Sequence, residues 1–292
     1  MKLYQILNGI SKFFSLRFFH AGLPVSYYIF NKIFDKKIIN KNIENKNLQE
    51  FNKNGFVKLD INFKPEVDLI KKNIKFINPD GKRQSYIINV NVRDQFKVML
   101  LNKLKPLIGD LQDYYNSNIV VSNVFAWRTN YADKLEAKNN MLYANHYHND
   151  GYLMTYFKLF INLMDVDETD GPLHIVYKNK KKEFFKHANY RNQKNYIDIE
   201  NDKLIYKNTG KEGESFLFSS PECMHKAGVP KKHRDTMEII FIANTNDNLK
   251  SEDIDIFEKN DTIVMSTTKP YTLMKVFRTL MEHFDYKKKL KV

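Results

Sequence analysis

Cysteine is all but absent: Cys223 is the only one in 292 residues. No disulfide can form within the chain, so folding does not depend on an oxidising compartment. Long apolar runs are missing as well. The longest uncharged stretch near the start, residues 18–31, sits between Arg17 and Lys32 and contains Gly22 and Pro24. It is too short to span a bilayer, and it lacks the small-residue cleavage signature of a secretory signal. We therefore expect a cytoplasmic chain without a transmembrane segment. There is no internal repeat and no low-complexity linker of useful length. No nucleic-acid-binding module is recognisable, and the arginine–aromatic interleaving of such modules is missing.

Hydrophobic residues make up 42% of the chain and charged residues 28%, which fits a globular protein rather than a disordered one. Aromatics reach 14%, a level that favours a β-rich core. The formal net charge is +13. Scattered lysines make a solvated basic surface the plain explanation. The sharper one is attraction to an acidic partner, such as an anionic small-molecule substrate or a membrane surface.

Residues 3–17 place Leu3, Ile6, Leu7, Ile10 and Phe14 at helical spacing. We expect a helix docked on the domain; the alternative is a helix lying on lipid, helped by Lys2, Lys12 and Arg17, which would make the protein peripheral to a membrane. Leu273, Phe277, Leu280 and Phe284 form a second stripe, followed by a basic tail. Three regions are expected: an N-terminal helical extension (1–50), a β domain (51–250) and a C-terminal helix with its tail (251–292). "FNKNGFVKLD" reads as a helix end, a turn at Asn54-Gly55 and a strand. Residues 64–77 and 93–116 read as helices.

From Ile119 the period changes to two, with Val121, Asn123, Phe125 and Trp127 expected on one strand face. Residues 156–166, 173–177, 215–220 and 236–245 read as further strands. Short strands joined by turns point to a mainly β barrel or jelly roll with flanking helices. The polar segment 178–212 reads as an insertion over the barrel mouth.

The chemistry centres on "HYHND" (146–150). His148 and Asp150 are two apart, so on a strand both point to one face and can meet one ion. His225, in "ECMHKAGVP", supplies a third donor from a distant segment. Two histidines and one carboxylate make the facial triad of non-haem iron(II) oxygenases, which leaves half the coordination sphere open. Each element alone is weak; their order along the chain gives them weight. Arg234 follows His225 by nine positions at the start of the last strong strand. Its planar guanidinium suits a buried carboxylate, and Thr236 shares its strand face. Lys158 and Asn162 are candidate co-substrate contacts on the strand after the His-x-Asp. Arg128 is a candidate for meeting an acidic substrate. Trp127, His146, His174, Tyr147, Tyr152 and Tyr156 are expected to be packing or pocket-wall residues.

Over roughly residues 119–245 the chain resembles the phytanoyl-CoA dioxygenase family of iron(II)/2-oxoglutarate oxygenases. The resemblance rests on "HND", "KLFINLMDVDETDGPLHIV", "GKEGESFLFSSPECMHKAGVP" and "HRDTMEIIF". It implies a double-stranded β-helix (cupin-like jelly roll), iron on His148, Asp150 and His225, and 2-oxoglutarate anchored by Arg234. It also implies dioxygen as co-substrate, with succinate and carbon dioxide released as a substrate is hydroxylated. Two departures matter. "VYKNKKKEF" replaces a Pro-Gly-Ser-His turn common in the family, and Ala227 stands where a small hydroxylated residue often helps hold co-substrate. Asp150 is intact, which argues against the family's halogenases. Desaturation, epimerisation or cyclisation would use the same iron. Outside oxygenases, a non-catalytic ligand-binding jelly roll remains, as does a zinc-dependent isomerase, which would typically use more histidines.

Overall fold

The period-two segments fold as strands of two facing antiparallel sheets in the computed structural model of the chain. It describes residues 44–77, 83–88, 90–115, 118–139, 142, 144–148, 150, 156–187 and 203–244. The helix expected over 3–17, the 273–284 stripe with its basic tail, and Tyr152 lie outside the described residues.

Helix α1 (Lys46–Asn54) opens on Asn45, whose side chain accepts from the amides of Asn47 and Leu48. Strand β1 (Phe56–Leu59) and helix α2 (Lys64–Lys72) follow, then β2 (Ile74–Ile77) and β3 (Arg83–Ile88). The long helix α3 (Val90–Tyr115) leads into β4 (Asn118–Asn130) and the short α4 (Lys134–Asn139). Next come β5 (Tyr156–Asn162), β6 (Leu173–Val176), α5 (Lys181–His187) and β7 (Ile205–Lys207). β8 (Ser215–Phe218), β9 (His225–Ala227) and β10 (His233–Asn244) complete the described elements. The helix expected over 64–77 ends at Lys72, and residues 74–77 instead pair with β3. The strand expected over 156–166 ends at Asn162.

The larger sheet runs β1-β8-β5-β10-β4-β3-β2 and the smaller β7-β6-β9. Alternation gives the larger sheet two different faces. Leu159, Ile161, Met237, Ile239 and Phe241 look outward. They join Leu48 and Phe51 of α1, Val67 and Ile70 of α2, and Phe96, Leu100, Leu104, Leu107 and Leu111 of α3 in one buried cluster. The spacing of those α3 residues, three or four apart, puts them on one stripe of the helix. Each such fully buried side chain stabilises by roughly 1.5–3 kcal/mol. The inner face carries Trp127, Phe160, Phe216 and Phe218. These pack against Leu173 and Ile175 of the smaller sheet. The result is the double-stranded β-helix, two antiparallel sheets closed face to face around an interior.

One alternation fails. Ile240 lies opposite Asn123 and Phe241 opposite Val121, so the register skips Ser122. This bulge shifts the parity of the strand. Val121 joins the outer cluster, not the face of Phe125 and Trp127 that the sequence suggested. Residues 178–212 are built into the structure at both described ends, as α5 and as the edge strand β7. No helix among the described residues is long and apolar enough to cross a membrane.

Gly55 ties the first strand to the segment that carries His225. It ends α1 at φ 81°, in the left-handed region. Its carbonyl accepts from the amide of Ser219 at 2.8 Å. A Cβ at Gly55 would stand 2.2 Å from the Cys223 sulfur. Gly55→Ala therefore combines backbone strain with a clash against a buried atom. We expect it to lower stability by about 2–4 kcal/mol, read as a shift of the urea unfolding midpoint; an unchanged midpoint would show that this turn has slack.

Candidate metal centre

His148 and His225 meet because they are opposite partners in an antiparallel bridge that extends the smaller sheet beyond β9. Each amide donates to the other's carbonyl, at 3.0 and 2.8 Å. Side chains of directly opposed residues leave on the same face, and the two imidazole centroids stand 4.4 Å apart. The amide of Asp150 reaches the Ser220 carbonyl at 3.3 Å. Its carboxylate Oδ1 lies 3.7 Å from Nε2 of both histidines. One donor atom from each of the three residues falls within 4.8 Å of the others. Among the described residues this is the one group of three or more histidine, cysteine or acidic side chains so arranged.

The tautomers suit a cation. Nδ1 of His148 lies 2.7 Å from the carbonyl of His146, and Nδ1 of His225 lies 3.0 Å from that of Cys223. A carbonyl only accepts, so each Nδ1 carries a proton, and the atom each ring turns toward Asp150 is Nε2, the one left to ligate a cation. Backbone carbonyls behind ligating histidines fix orientation in this way in metal sites generally. Burial pushes the His225 pKa down to about 3, which keeps the ring neutral. Phe218 meets its ring edge-on at 5.2 Å.

Burial works against a charge on Asp150, but the Lys158 ammonium, together with His225 and His148, outweighs burial and holds the carboxyl far below the usual carboxylate range. Lys158 Nζ stands 2.9 Å from Asp150 Oδ2 and 3.0 Å from Glu238 Oε1. Burial likewise opposes the charge on Lys158, and the two carboxylates reverse that effect. The side chain is 12% exposed and lies between two anions.

The remaining candidates separate by strand face. Thr236 lies opposite Asn162 of β5 and Trp127 of β4. Arg234, Thr236 and Glu238 therefore line the inner face with Asn162 and Lys158. Arg234 is 6% exposed, Thr236 and Asn162 4%. The Thr236 hydroxyl has no hydrogen-bond partner among the described residues, and such a buried group costs about 1–3 kcal/mol when left unmet. Arg128 is not part of this group. Its guanidinium grips Asp235 with two bonds of 2.7 and 2.6 Å, on the opposite face of the sheet, which corrects its candidacy for meeting substrate in the interior. His174 and Tyr147 also belong elsewhere. His174 sits on the face of the smaller sheet that carries Val176, and Tyr147 packs edge-on against Phe184 at 4.9 Å. His146 bonds the Ala137 carbonyl at 3.1 Å and lends its own carbonyl to His148. Glu238 was missed by sequence reasoning, although Arg234, Thr236 and Glu238 recur at period two inside an otherwise apolar strand.

The residues fit a divalent cation: two imidazoles with Nε2 turned toward the centre, one carboxylate held charged, and no fourth donor among the described histidine, cysteine and acidic side chains. They also fit an anionic chelator behind it, because a buried guanidinium and an unmet hydroxyl share one strand face.

No protein-family model matches the chain, and no curated protein matches it. Solved structures do. HygX from Streptomyces hygroscopicus, with nickel and 2-oxoglutarate bound, is 13% identical. The match covers 68% of this chain and 86% of that one, with a TM-score of 0.44. SnoN, a non-heme alpha ketoglutarate dependent epimerase from nogalamycin biosynthesis, is 10% identical; the coverages are 68% and 82% and the TM-score 0.43. EctD from S. alaskensis, with 2-oxoglutarate and 5-hydroxyectoine, is 14% identical, with coverages of 71% and 79% and a TM-score of 0.42. These likenesses are too distant to carry an activity from any of them to this chain.

Cys223, whose carbonyl orients His225, has a buried sulfur. Burial, helped by Glu222, pushes the thiol pKa up to about 12. Thiolate is the reactive form, so at pH 8 the folded protein should resist a disulfide-exchange reagent, while the urea-unfolded chain should react with one equivalent. Rapid labelling of the native protein would mean that the turn before His225 opens readily.

Proposed function

We propose that the chain is an iron(II)- and 2-oxoglutarate-dependent oxygenase with His148, Asp150 and His225 as iron ligands. One observation carries this reading: three donor atoms from two distant segments converge, with Nδ1 of both imidazoles engaged by backbone carbonyls, and would occupy only half of a six-coordinate sphere. A closed four-ligand site would suit structural metal instead. On this reading Arg234 binds the far carboxylate of 2-oxoglutarate as a planar fork, and the Thr236 hydroxyl donates to the same group. Asn162, opposite Thr236, lines that end of the pocket. When bound, iron and 2-oxoglutarate supply the oxidising chemistry, with dioxygen consumed and succinate and carbon dioxide released.

The chain's own residues bind, orient and exclude water. The carbonyls of His146 and Cys223 hold the two rings, and Lys158 holds Asp150. Phe160, Phe216, Phe218 and Trp127 surround the site with apolar surface, which strengthens charge–charge interactions inside it. The resemblance of "HND", the "DVDETDGP" turn and "HRDTMEIIF" to the phytanoyl-CoA dioxygenase family supports the same conclusion. We take the substrate to be a small molecule, free or linked to a carrier or glycan, and the outcome to be hydroxylation. The net charge of +13 favours an anionic one.

Purified protein given iron(II), 2-oxoglutarate and oxygen is expected to form succinate, and omission of any one component should abolish it. His148→Ala should reduce succinate to background. Arg234→Leu removes a charge-assisted contact of about 1.5–3 kcal/mol, so the KM for 2-oxoglutarate should rise about 10- to 100-fold. The reading would be overturned by a folded protein that binds neither iron(II) nor 2-oxoglutarate.

A further inference from the structure

Lys158 was a candidate contact for co-substrate, yet its ammonium is engaged by two carboxylates, one of them a ligand of the proposed metal centre. The two oxygens of Asp150 have different surroundings. Oδ1 lies 3.7 Å from both histidine Nε2 atoms, whereas Oδ2 lies 2.9 Å from Lys158 Nζ, a contact ion pair. A carboxylate beside a divalent cation otherwise has a choice: it can give one oxygen or chelate with both. Chelation takes a second position, and a site that admits a two-toothed co-substrate and a gas needs about three positions clear.

We propose that Lys158, braced by Glu238, is a positioning residue that restricts Asp150 to one coordinating oxygen and so keeps a coordination position open to exchangeable ligands. The inference rests on the metal-centre reading above and assigns a role to two residues that do not touch the metal.

The fold explains why this pair is dependable. Lys158 projects from β5, flanked by β8 on one side and β10 on the other. It lies opposite Ile240 of β10. Glu238 is therefore its diagonal neighbour on the same face, within reach of a long side chain. The Glu238 carboxylate, 3.0 Å from Nζ, holds the ammonium in place and balances its charge. A lysine buried only for stability would need one partner. Here the second is Oδ2 of Asp150, whose other oxygen faces the two imidazoles. Pulling Oδ2 toward a metal would break an ion pair in a water-poor interior and leave the ammonium under-paired, which is strongly unfavourable.

Manganese(II) is a suitable probe, because water-proton relaxation counts its exchangeable waters without requiring turnover. The wild-type protein should hold Mn(II) with about three waters. The double variant Lys158→Met/Glu238→Gln removes the ammonium together with its second carboxylate, and bound Mn(II) then balances the charge left on Asp150, so the variant is compared with the wild type in the Mn(II)-loaded form. It should retain the wild-type melting temperature to within a few degrees and hold Mn(II) with about two waters, as Asp150 takes the freed position. Glu238→Gln alone keeps the ammonium on Asp150 and should stay near three. A crystal structure of the wild-type protein with Mn(II) gives an independent reading: Asp150 Oδ1 on the metal, Oδ2 still on Lys158.

Three outcomes would sink the idea. A folded double variant with the wild-type water count would show that Lys158 does not set the coordination mode. Chelation of Mn(II) by both oxygens of Asp150 in the wild-type protein would show the same, whatever the variants do. Failure of the wild-type protein to bind Mn(II) at all would instead remove the metal-centre reading, and this inference with it.

Discussion

The antiparallel bridge between His148 and His225 is the contact on which the rest of the centre depends. Two residues 77 positions apart exchange both backbone hydrogen bonds, at 3.0 and 2.8 Å. That exchange fixes the spacing and facing of their side chains before any side-chain chemistry is considered. Everything else in the centre is arranged around this register. A slip of one residue on either side would turn an imidazole to the opposite face of the smaller sheet. The structure protects the register at both ends. Past His225, the Ala227 amide donates to the Ala144 carbonyl at 2.9 Å. Gly171, at φ 64° in the turn before β6, lies against the backbone of Gly228, Val229 and Pro230, where a Cβ would come within 2.7 Å. Gly55 packs its bare Cα against Cys223 on the other side. Two glycines far apart in sequence thus hold one strand in place.

Much of this was legible in the sequence, and the reason is periodicity. The alternation in residues 215–220 and 236–245 gave strands at the right places, and the α3 stripe gave a helix at the right length. The three candidate ligands and Arg234 were legible as residue types in a particular order, and the structure brings one donor atom each of His148, Asp150 and His225 together. The strands that escaped were β2, β3, β7 and β9. β7 and β9 are only three residues each, too short for a period to register. The 74–77 stretch "IKFI" continues a helical pattern and becomes a strand only because β3 is there to pair with it. That is a tertiary decision, invisible to a local window.

What stayed hidden within the site was pairing. Lys158 read as even between co-substrate support and surface, because a sequence does not say which carboxylate a long side chain will meet. The answer lay in the register of β5 against β10, which sets Glu238 diagonal to it. Arg128 misled for the same reason: Asp235, its partner, is directly opposite it on the neighbouring strand β10 and 107 positions away in sequence. The bulge at Ser122 is a third case, since a single skipped residue reverses the facing of all those beyond it.

Charge balance connects the site to the fold. An interior packed with Phe160, Phe216, Phe218 and Trp127 is an unfavourable place for ionised groups, and replacing such groups with apolar ones is often neutral or stabilising. Even so, the inner face carries Lys158, Glu238 and Arg234 in addition to Asp150, each poorly exposed. Two carboxylates stand against an ammonium and a guanidinium, so these four cancel in pairs. On the proposed reading the guests cancel as well: a dication and a dianionic 2-oxo acid add no net charge when both are present, but either alone leaves the interior unbalanced. Local rules of burial are broken where function is expected to break them, and here they are broken in a neutral set. A barrel of this kind would therefore favour its metal and its co-substrate jointly over either one separately. That preference follows from the dielectric of the interior and not from any single contact.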